Sequence, residues 1–426
     1  MLFRPARPSD LDEIAALLAT EGRRPAMVRA LWSADASFSP DQIRTAWTGG
    51  RIVACAAAYP RVLRLDNGYL PTMVVADVKT HAATARRGLA STLLAEVLQS
   101  SSHEGAVLTA TIVPTHQTTS IFARMGWRPI TETVLHLPPD VLDGLEDSPA
   151  TAPDPATQAA LPDFIEETRP VFAGASAKVV VRTLEERDLD PLLSLHEAAN
   201  WARSGSVLYD AEELRGRLAT LHLDGDLVRV AEVEGVLAGF IAAQMRGRQM
   251  DVTQLLLSPR RQDVWAPLLK DLHRAAHETA IIRLGLPADY RALVRERLDW
   301  QARVREREDL LLRAIDLGPL LRVAAPVLET RLSRSIGSAE VRVRIGPTRG
   351  GAVLGVIGAR VVVESPRRDE PVAAVLPEEL FLALLLGTEG AQAALEALDL
   401  PPDVQELLTA LFPPRNWIFW RADAPG

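Results

Sequence analysis

The chain has 426 residues, of which 47% are hydrophobic and 24% charged, a balance typical of folded proteins with more than one domain. Its formal net charge of −8 argues against a general nucleic-acid-binding protein. Cys55 is the single cysteine, which excludes a disulfide framework within the chain and predicts a reducing compartment. No apolar run is long enough for a membrane span, and the N-terminus lacks a signal-peptide core. We therefore expect a cytoplasmic protein that binds neither membranes nor nucleic acid.

The first elements of the chain alternate short strands and helices. Ser9 is the expected cap of a helix, because apolar residues recur after it at helical spacing. Asp66-Asn67-Gly68 is a strong signal for a hairpin turn. The elements expected up to this hairpin and just beyond it are a strand at 2–6, helices from Ser9 and at 27–32 and 42–47, and strands at 51–59, 62–65 and 69–73.

The stretch 72–127 carries the clearest functional pattern. Its apolar, β-branched run Met73–Thr80 predicts a buried strand, and Arg86-Arg87-Gly88 then precedes a helix that begins at Leu89. A glycine turn at a helix start leaves backbone N–H groups unbonded, and the helix dipole adds positive potential. This segment, which we call the phosphate turn (85–91), therefore predicts a binding site for a phosphate-bearing ligand. The tripeptide alone favours a solvated loop that turns into a helix, and the strand before it and the helix after it are what favour a binding site. A strand at 106–113, a helix at 118–124 and a strand at 129–137 are expected next.

A composition change separates this region from the next one. The Pro/Ala-rich segment 148–155 predicts a linker, and a short helix is expected at 163–168. The order of elements then repeats, which predicts an internal duplication. The expected elements are a strand at 179–182, helices at 185–199 and 210–221, strands at 227–233, 237–245 and 250–257, a helix at 263–279, a strand at 280–286, a helix at 288–298 and a strand at 303–315.

The repeat of the phosphate turn is Ser258–Asp263, which differs from the first one in two ways. It contains no glycine, and Pro259 lacks a backbone N–H. We therefore expect the second copy not to hold a pyrophosphate.

The pattern changes again at residue 317. A helix at 319–332, broken or kinked at Pro326, precedes strands and then helices, which predicts an α+β domain with an apolar interior. We expect Trp417 and Trp420 near the chain end to be exposed and to need a partner surface. The remaining elements expected here are strands at 340–345, 352–357 and 359–365 and helices at 377–386, 388–397 and 403–411.

Two segments of the first region resemble the GCN5-related N-acetyltransferases (GNAT). The family's phosphate loop follows a strand and reads Gln/Arg-x-x-Gly-x-Gly/Ala, and this chain has Ala85-Arg86-Arg87-Gly88-Leu89-Ala90. The segment from Phe122 to Trp127 is similar to the family's later aromatic-x-x-x-Gly-aromatic segment. With the order of its regions and the junction 311–317, the whole chain resembles tandem-GNAT acetyltransferases of the enhanced-intracellular-survival type.

This resemblance implies the fold class and the domains. The fold is expected to be α/β (α+β), with two GNAT-like mixed-sheet domains followed by a smaller sterol-carrier-like α+β domain. The implied domains are an N-terminal GNAT domain that binds CoA (1–138), a linker (139–178), a degenerate second GNAT-like domain (179–316) and the sterol-carrier-like domain (317–426). The resemblance also implies a homo-oligomer.

The implied reaction is acetyl transfer from acetyl-CoA to an amine acceptor, a small molecule or a peptide, with no covalent enzyme intermediate and no metal. Amides of the phosphate turn would hold the pyrophosphate, and the strand end 78–80 would hold the pantetheine arm and the thioester oxygen. The acceptor cavity is expected between the first two domains and the C-terminal tail. The residues that the resemblance assigns to CoA binding are Val78, Lys79, Thr80, Arg86, Arg87, Gly88, Leu89, Ala90, Ser91, Thr92, Gln117 and Thr118.

The two proton transfers stay open in the sequence. The family often has a tyrosine acid where this chain has Phe122, which has no proton to give. For the base, the resemblance implies the C-terminal carboxylate, here on Gly426, and a frayed terminus is the alternative. Asp77 either faces water or lines the acceptor site. The alternative acids are water, Tyr59, Tyr69, His116 and Ser120.

Two functions of other classes also fit the sequence. Phe122 could mark a catalytically quiet acyl-CoA-binding or scaffold protein, and the third domain could bind an apolar ligand. His273 and His277 lie four apart on a predicted helix, but no third ligand has suitable spacing. A solvated helix face is therefore favoured over a metal site.

Overall fold

The computed structural model describes residues 1–19, 24–113, 116–142, 178–276, 279–298, 302–333, 340–347, 350–367 and 371–423. The predicted linker at 148–155, the predicted helix at 163–168, His277 and Gly426 lie outside these residues. Within them, no helix combines the length and the apolar character that crossing a membrane requires.

The first region (1–142) has the order of elements that the sequence predicts, but its strands are divided differently. Residues 42–47 were expected to be helical and instead form β2, which pairs with strands on both sides. This prediction was wrong because such a short helix is marginal by itself, whereas β2 completes two ladders. The elements are β1 (Leu2–Pro5), α1 (Leu11–Leu18), α2 (Pro25–Ala34), β2 (Ile43–Thr48), β3 (Arg51–Leu65), β4 (Gly68–Thr80), α3 (Leu89–His103), β5 (Leu108–Ile112), α4 (His116–Arg124) and β6 (Arg128–Leu137).

Two smaller expectations for this region also differ from the structure. β3 continues through Pro60, where two separate strands were expected, and Pro60 lies opposite Met73 in the ladder. Asp10, rather than Ser9, accepts the N–H of Arg7 at 2.7 Å where the chain enters α1. The hairpin turn is confirmed, because Leu65 pairs with Gly68 around a left-handed Asp66 at φ 52°.

The second region (178–314) repeats this order with one short strand added. The added strand is β8, which the sequence did not predict. The elements are β7 (Val179–Arg182), α5 (Leu189–Asn200), β8 (Arg203–Ser204), α6 (Ala211–Leu223), β9 (Leu227–Val233), β10 (Val236–Arg246), β11 (Gln249–Leu257), α7 (Trp265–Ala275), β12 (Ile281–Gly285), α8 (Ala288–Leu298) and β13 (Arg303–Ala314).

Twelve of the described strands from these two regions form one mixed sheet, in the order β1-β2-β3-β4-β5-β13-β6-β12-β11-β10-β9-β7. The last strand of the second region, β13, lies between β5 and β6 and is antiparallel to both. In turn β6 pairs with β12. The two regions therefore share a continuous ladder, and the exchange of the last strands fixes their relative position.

The third region (317–423) packs a four-stranded sheet against helices. Its long helix α9 is continuous through Pro326, where a break or a kink was expected, so the break was wrong and the kink stays a prediction. Its core continues onto Leu63, Leu65 and Leu70 of the first region's hairpin. Whether the domain is sterol-carrier-like stays a prediction. The elements are α9 (Leu317–Ser333), β14 (Glu340–Ile345), β15 (Ala352–Ile357), β16 (Arg360–Glu364), β17 (Ala374–Leu376), α10 (Glu378–Leu386), α11 (Ala391–Glu396), α12 (Pro402–Leu411) and β18 (Asn416–Trp417).

The tail of the chain packs on the second region. β18 pairs in parallel with β8. The Trp417 ring packs against Gly205, which follows β8, and a Cβ at Gly205 would lie 2.0 Å from that ring. Trp420 is 1% exposed and donates its indole N–H to Asn200 Oδ1 at 3.2 Å. Trp417 is half-buried and Trp420 is buried, so neither is the exposed ring that would need a partner surface, and the tail docks on the second region. The homo-oligomer stays a prediction.

Candidate active site

β4 and β5 separate well before the phosphate turn begins. The two strands pair in parallel only from Thr72 to Val74, although β4 continues to Thr80. A bulge on β4 shifts its register against β3 between Cys55 and Ala57, and Asp77 in this bulge has φ 52°. Bulges of this kind bend a strand and redirect its side chains. The end of β4, with Val78–Thr80, is therefore directed away from β5.

The phosphate turn is exposed and leads into α3 without a side-chain cap. Arg86 and Gly88 have left-handed backbones at φ 63° and 78°, and the first hydrogen bond of the helix runs from Thr92 N–H to the Gly88 carbonyl at 3.0 Å. Gly88 is the N-cap, and it has no side chain that could accept a hydrogen bond from the N–H groups at the helix start. A Cβ at Gly88 would meet no atom within 4 Å. The amides at the start of α3 therefore face open space and can receive an anion.

A central cavity lies beside the β4 bulge, and Asp77 is part of its lining. Its empty volume is about 670 Å³, including its open mouth. Its walls come from α2, from β3 and β4, and from 207–209 and α6 of the second region. Gly216 lets α6 approach α2, because a Cβ there would lie 2.1 Å from the Ala34 carbonyl oxygen. The lining residues that bear charge are Asp35, Arg61, Asp77, Glu213 and Arg217.

Asp77 is held at the base of the central cavity by two donors. Tyr59 donates its hydroxyl to Asp77 Oδ2 at 2.5 Å, and the Trp32 indole N–H is 3.2 Å from the same oxygen. Burial and the charge of Asp77 raise the pKa of Tyr59 well above its usual value, so Tyr59 is a hydrogen-bond donor at neutral pH. Asp77 therefore lines the central cavity, and whether this cavity receives the acceptor stays a prediction.

The C-terminal tail reaches the edge of the central cavity. Tyr209, which lines the cavity, donates its hydroxyl to Asp423 Oδ1 at 2.7 Å. Burial raises the pKa of Asp423 to about 6. The cavity thus lies between the first two regions and the tail, as expected for the acceptor. Gly426, the predicted base, lies outside the described residues.

Phe122 is a core residue. It is 2% exposed and packs edge-on against Trp127, with ring centroids 5.1 Å apart. Of the alternative acids, Tyr69 is 61% exposed on the hairpin, and Tyr59 is already bonded to Asp77. The side chain of His116 lies outside the described residues.

The predicted CoA-binding residues fall into two groups. Ten of them follow one another along β4, the phosphate turn and the start of α3, and Lys79, Arg86, Arg87 and Gly88 among them are exposed. Gln117 and Thr118 lie on α4 beyond the end of β5, and their side chains are not described. The sequence did not single out Trp32 or Arg217, because both have ordinary positions in helix patterns.

In the second region, the equivalent strand end is filled. The Tyr290 hydroxyl lies 3.0 Å from Leu257 N, which donates to it, and 3.2 Å from the Leu257 carbonyl oxygen, to which it donates. Arg261 forms two hydrogen bonds with Asp263, at 2.9 and 2.8 Å, where the repeat of the phosphate turn would be.

Among the described residues, no group of three His, Cys, Asp or Glu side chains could hold a metal ion.

Comparison with known proteins identifies the first region. Residues 3–130 match the family model of the acetyltransferase (GNAT) domain. The first region is a GNAT domain. No curated protein matches the chain.

Solved structures extend this likeness over nearly the whole chain. A GCN5-related N-acetyltransferase from Kribbella flavida is 18% identical, with a TM-score of 0.63 over 98% of this chain and 99% of that one. One from Anabaena variabilis is 12% identical, with a TM-score of 0.65 over 98% and 99%. Eis1 from Mycobacterium abscessus is 14% identical, with a TM-score of 0.63 over 98% and 99%.

At these identities the likeness shows the fold. The predicted mixed α/β fold and the resemblance to GCN5-related and Eis-type acetyltransferases are confirmed. With the GNAT domain, this fold supports an N-acyltransferase that uses a CoA thioester.

Proposed function

We propose that the chain is an acetyl-CoA-dependent N-acetyltransferase that holds acetyl-CoA in its GNAT domain and an amine acceptor in the central cavity. The observation that carries the proposal is the position of Asp77. It lies in the bulge of β4, with its side chain on the cavity and the CoA-binding strand end directly after it. An acceptor amine beside Asp77 would therefore be next to a thioester bound along Val78–Thr80.

In the proposed reaction, CoA binding and proton transfer belong to different residues. Amides at the start of α3 bind the pyrophosphate, and the end of β4 binds the pantetheine arm. Asp77 accepts the proton of the acceptor ammonium, and its hydrogen bonds to Tyr59 and Trp32 hold it in position. The amine nitrogen then forms a bond to the thioester carbonyl carbon, the C–S bond breaks, and the CoA thiolate leaves. The nitrogen loses one further proton as it becomes the amide, and the thiolate takes up that proton directly or through water.

The C-terminal carboxylate of Gly426 is a second candidate for the base. The contact of Tyr209 with Asp423 brings the tail to the cavity, three residues before the chain end. Asp77 and Gly426 therefore compete for one role, and a variant of each separates them.

A catalytically quiet acyl-CoA-binding protein is the alternative, and the burial of Phe122 favours it. Two measurements decide between the functions. Acetyl-CoA at about one hundred times its Kd should stabilise the protein by about 2.7 kcal/mol, measured as a rise in Tm. Release of free thiol in the presence of a panel of amines should then exceed the rate without amine.

Each result has a clear meaning. No rise in Tm at saturating acetyl-CoA would contradict both functions. A rise in Tm without amine-dependent thiol release, over polyamines, amino acids, aminoglycosides and peptides, would support the quiet binder and contradict the enzyme.

A further inference from the structure

Arg217 of α6 lines the central cavity with a partly satisfied guanidinium group. It is half-buried and donates from Nη1 to Thr220 Oγ1 at 2.6 Å. Its Nε is buried and has no hydrogen-bond partner. Within the described part of the chain, no carboxylate forms an ion pair with it. A buried donor on a charged group without an acceptor is costly, and a ligand that supplies the acceptor recovers that cost.

Arg61, the other arginine that lines the cavity, also has a buried Nε without a hydrogen-bond partner, but it differs from Arg217 in forming an ion pair. Its Nη2 lies 2.6 Å from Asp35 Oδ2, and its Nη1 donates to Ser37 Oγ at 2.5 Å. Burial opposes ionisation of Asp35, but the charge of Arg61 holds the pKa of this carboxyl below its usual value. Arg61 and Asp35 therefore neutralise each other, and the cation left for a ligand is Arg217.

The carboxyl groups near Arg217 do not replace a ligand. Glu213, one helical turn before it, accepts the N–H of Asp210 at 2.9 Å as part of the helix cap. Asp423 and Asp226 are close enough for the charge of Arg217 to act against the effect of burial on their pKa values, yet neither forms an ion pair with it. Asp423 is instead bonded to Tyr209.

The central cavity thus offers two opposite charges on different walls. Asp77 lies on the β4 wall beside the strand end that binds CoA, and Arg217 lies on the α6 wall. Apolar side chains line the space as well, and these are Val28, Leu31, Val207 and Leu208. A ligand that fits this arrangement has a cation at one end, an anion at the other and an apolar body.

We propose that the natural acceptor is an amine that also carries an anionic group, a carboxylate in its simplest form, and that Arg217 binds this group. The inference rests on the proposed function and names its substrate class. An Arg217 guanidinium can form paired hydrogen bonds to a carboxylate, whereas it repels a second ammonium group. Acceptors with one amine and one carboxylate should therefore be preferred over neutral-tailed amines and over polyamines.

The test compares ω-amino carboxylates with n-alkylamines of the same chain length as acceptors in the thiol-release assay. Wild-type protein should have a kcat/KM at least tenfold higher for the best ω-amino carboxylate than for its alkylamine partner. Arg217→Met keeps the aliphatic body and removes the charge, and it should remove this preference through KM with kcat changed less than about twofold. Arg217→Lys should keep part of the preference.

Arg215→Met is the matched control, because Arg215 lies on the same helix and is exposed. It should behave as wild type with both acceptor series, and both methionine variants should show the same rise in Tm with acetyl-CoA. Equal kcat/KM for the two series in wild type and in Arg217→Met overturns the inference but leaves the acetyltransferase standing. Absence of turnover with every amine overturns the proposed function and this inference with it.

Discussion

β4 with the phosphate turn and β11 with Ser258–Asp263 occupy equivalent places in the two repeated regions. Both strands carry a bulge and both part from a parallel neighbour before they end. In the first region the bulge residue Asp77 points to a cavity and the turn is exposed. In the second, the bulge residue Thr253 donates its hydroxyl to the Ala242 carbonyl at 3.2 Å, and Tyr290 occupies the strand end.

Under the proposed function, this comparison teaches how one copy of a fold can lack a binding site that the other copy has. Backbone groups that the first region is proposed to present to CoA correspond to groups that the second region bonds to its own side chains. A buried polar group needs some partner, and a tyrosine serves as well as pantetheine. Predictions that alter one region and leave the other intact therefore test whether only the first region binds CoA.

The largest effect is expected for Gly88→Glu. Its carboxylate would place negative charge at the amides that are proposed to bind the pyrophosphate, so acetyl-CoA should no longer raise Tm. Gly88→Ala should keep the rise in Tm, because a Cβ there meets no atom within 4 Å, while the left-handed φ of 78° lowers stability by about 1–2 kcal/mol.

Arg260→Glu in the second region is the matched control. It places a glutamate in the repeat of the phosphate turn and also removes an arginine, so its charge change is larger than that of Gly88→Glu, and it should still leave the response to acetyl-CoA unchanged. A normal response in Gly88→Glu, or its loss in Arg260→Glu, would mean that the first region does not hold CoA as proposed.

Asp77→Asn should have the next largest effect. It keeps a hydrogen-bond acceptor for Tyr59 and Trp32 but cannot take up the ammonium proton, so kcat should fall by about 10²-fold or more. The rise in Tm with acetyl-CoA should remain. Removal of residues 424–426 is the companion variant, measured in the same thiol-release assay. If the deletion stops turnover and Asp77→Asn does not, the C-terminal carboxylate is the base and the assignment of Asp77 is wrong.

The phosphate turn could be predicted from the sequence because its parts are neighbours in the chain. A strand, a glycine turn and an apolar helix face lie within one stretch, and local pattern identifies each of them. The same holds for the hairpin at 66–68, where the turn residues are neighbours in the chain and Asp66 has a left-handed backbone.

The central cavity could not be predicted to this detail. Trp32, Asp77 and Arg217 come from three elements far apart in the chain, and no helical or strand period says which distant faces meet. The position of β13 was likewise inaccessible, since the sequence pattern does not say whether β6 or β13 pairs with β5. The aromatic tail was misjudged because the acceptor of the Trp420 indole, Asn200, belongs to another region.

Asp423→Asn should change how stability depends on pH. In the folded protein the pKa of Asp423 is raised from 3.8 to about 6, so ionising this carboxyl lowers the free energy of unfolding. The wild-type protein therefore has its full stability below about pH 4 and loses part of it as the pH rises through about 6. Asn cannot ionise and still accepts the Tyr209 hydroxyl. The variant should therefore be more stable than wild type by about 2–3 kcal/mol at pH 7.5, and by about half as much at pH 5.

Urea unfolding at the two pH values measures this difference, and Asp399→Asn, at an exposed aspartate, is the control that should change nothing. An advantage of Asp423→Asn that is the same at both pH values would contradict a raised pKa at Asp423. Since Asp423 contacts Tyr209 at the cavity, the result also reports whether the tail is docked in solution.

The smallest effect is expected for Tyr290→Phe. Phenylalanine fills the same space but leaves the buried N–H and carbonyl of Leu257 without the tyrosine hydroxyl, which should lower the free energy of unfolding by about 1–3 kcal/mol. The response to acetyl-CoA should not change, because the phosphate turn of the first region is untouched. If acetyl-CoA stabilised Tyr290→Phe more than wild type, the second region would have regained a binding site. Tyr290 would then be the group that blocks CoA binding in the second region, and the lack of a glycine at Ser258–Asp263 would not be the cause.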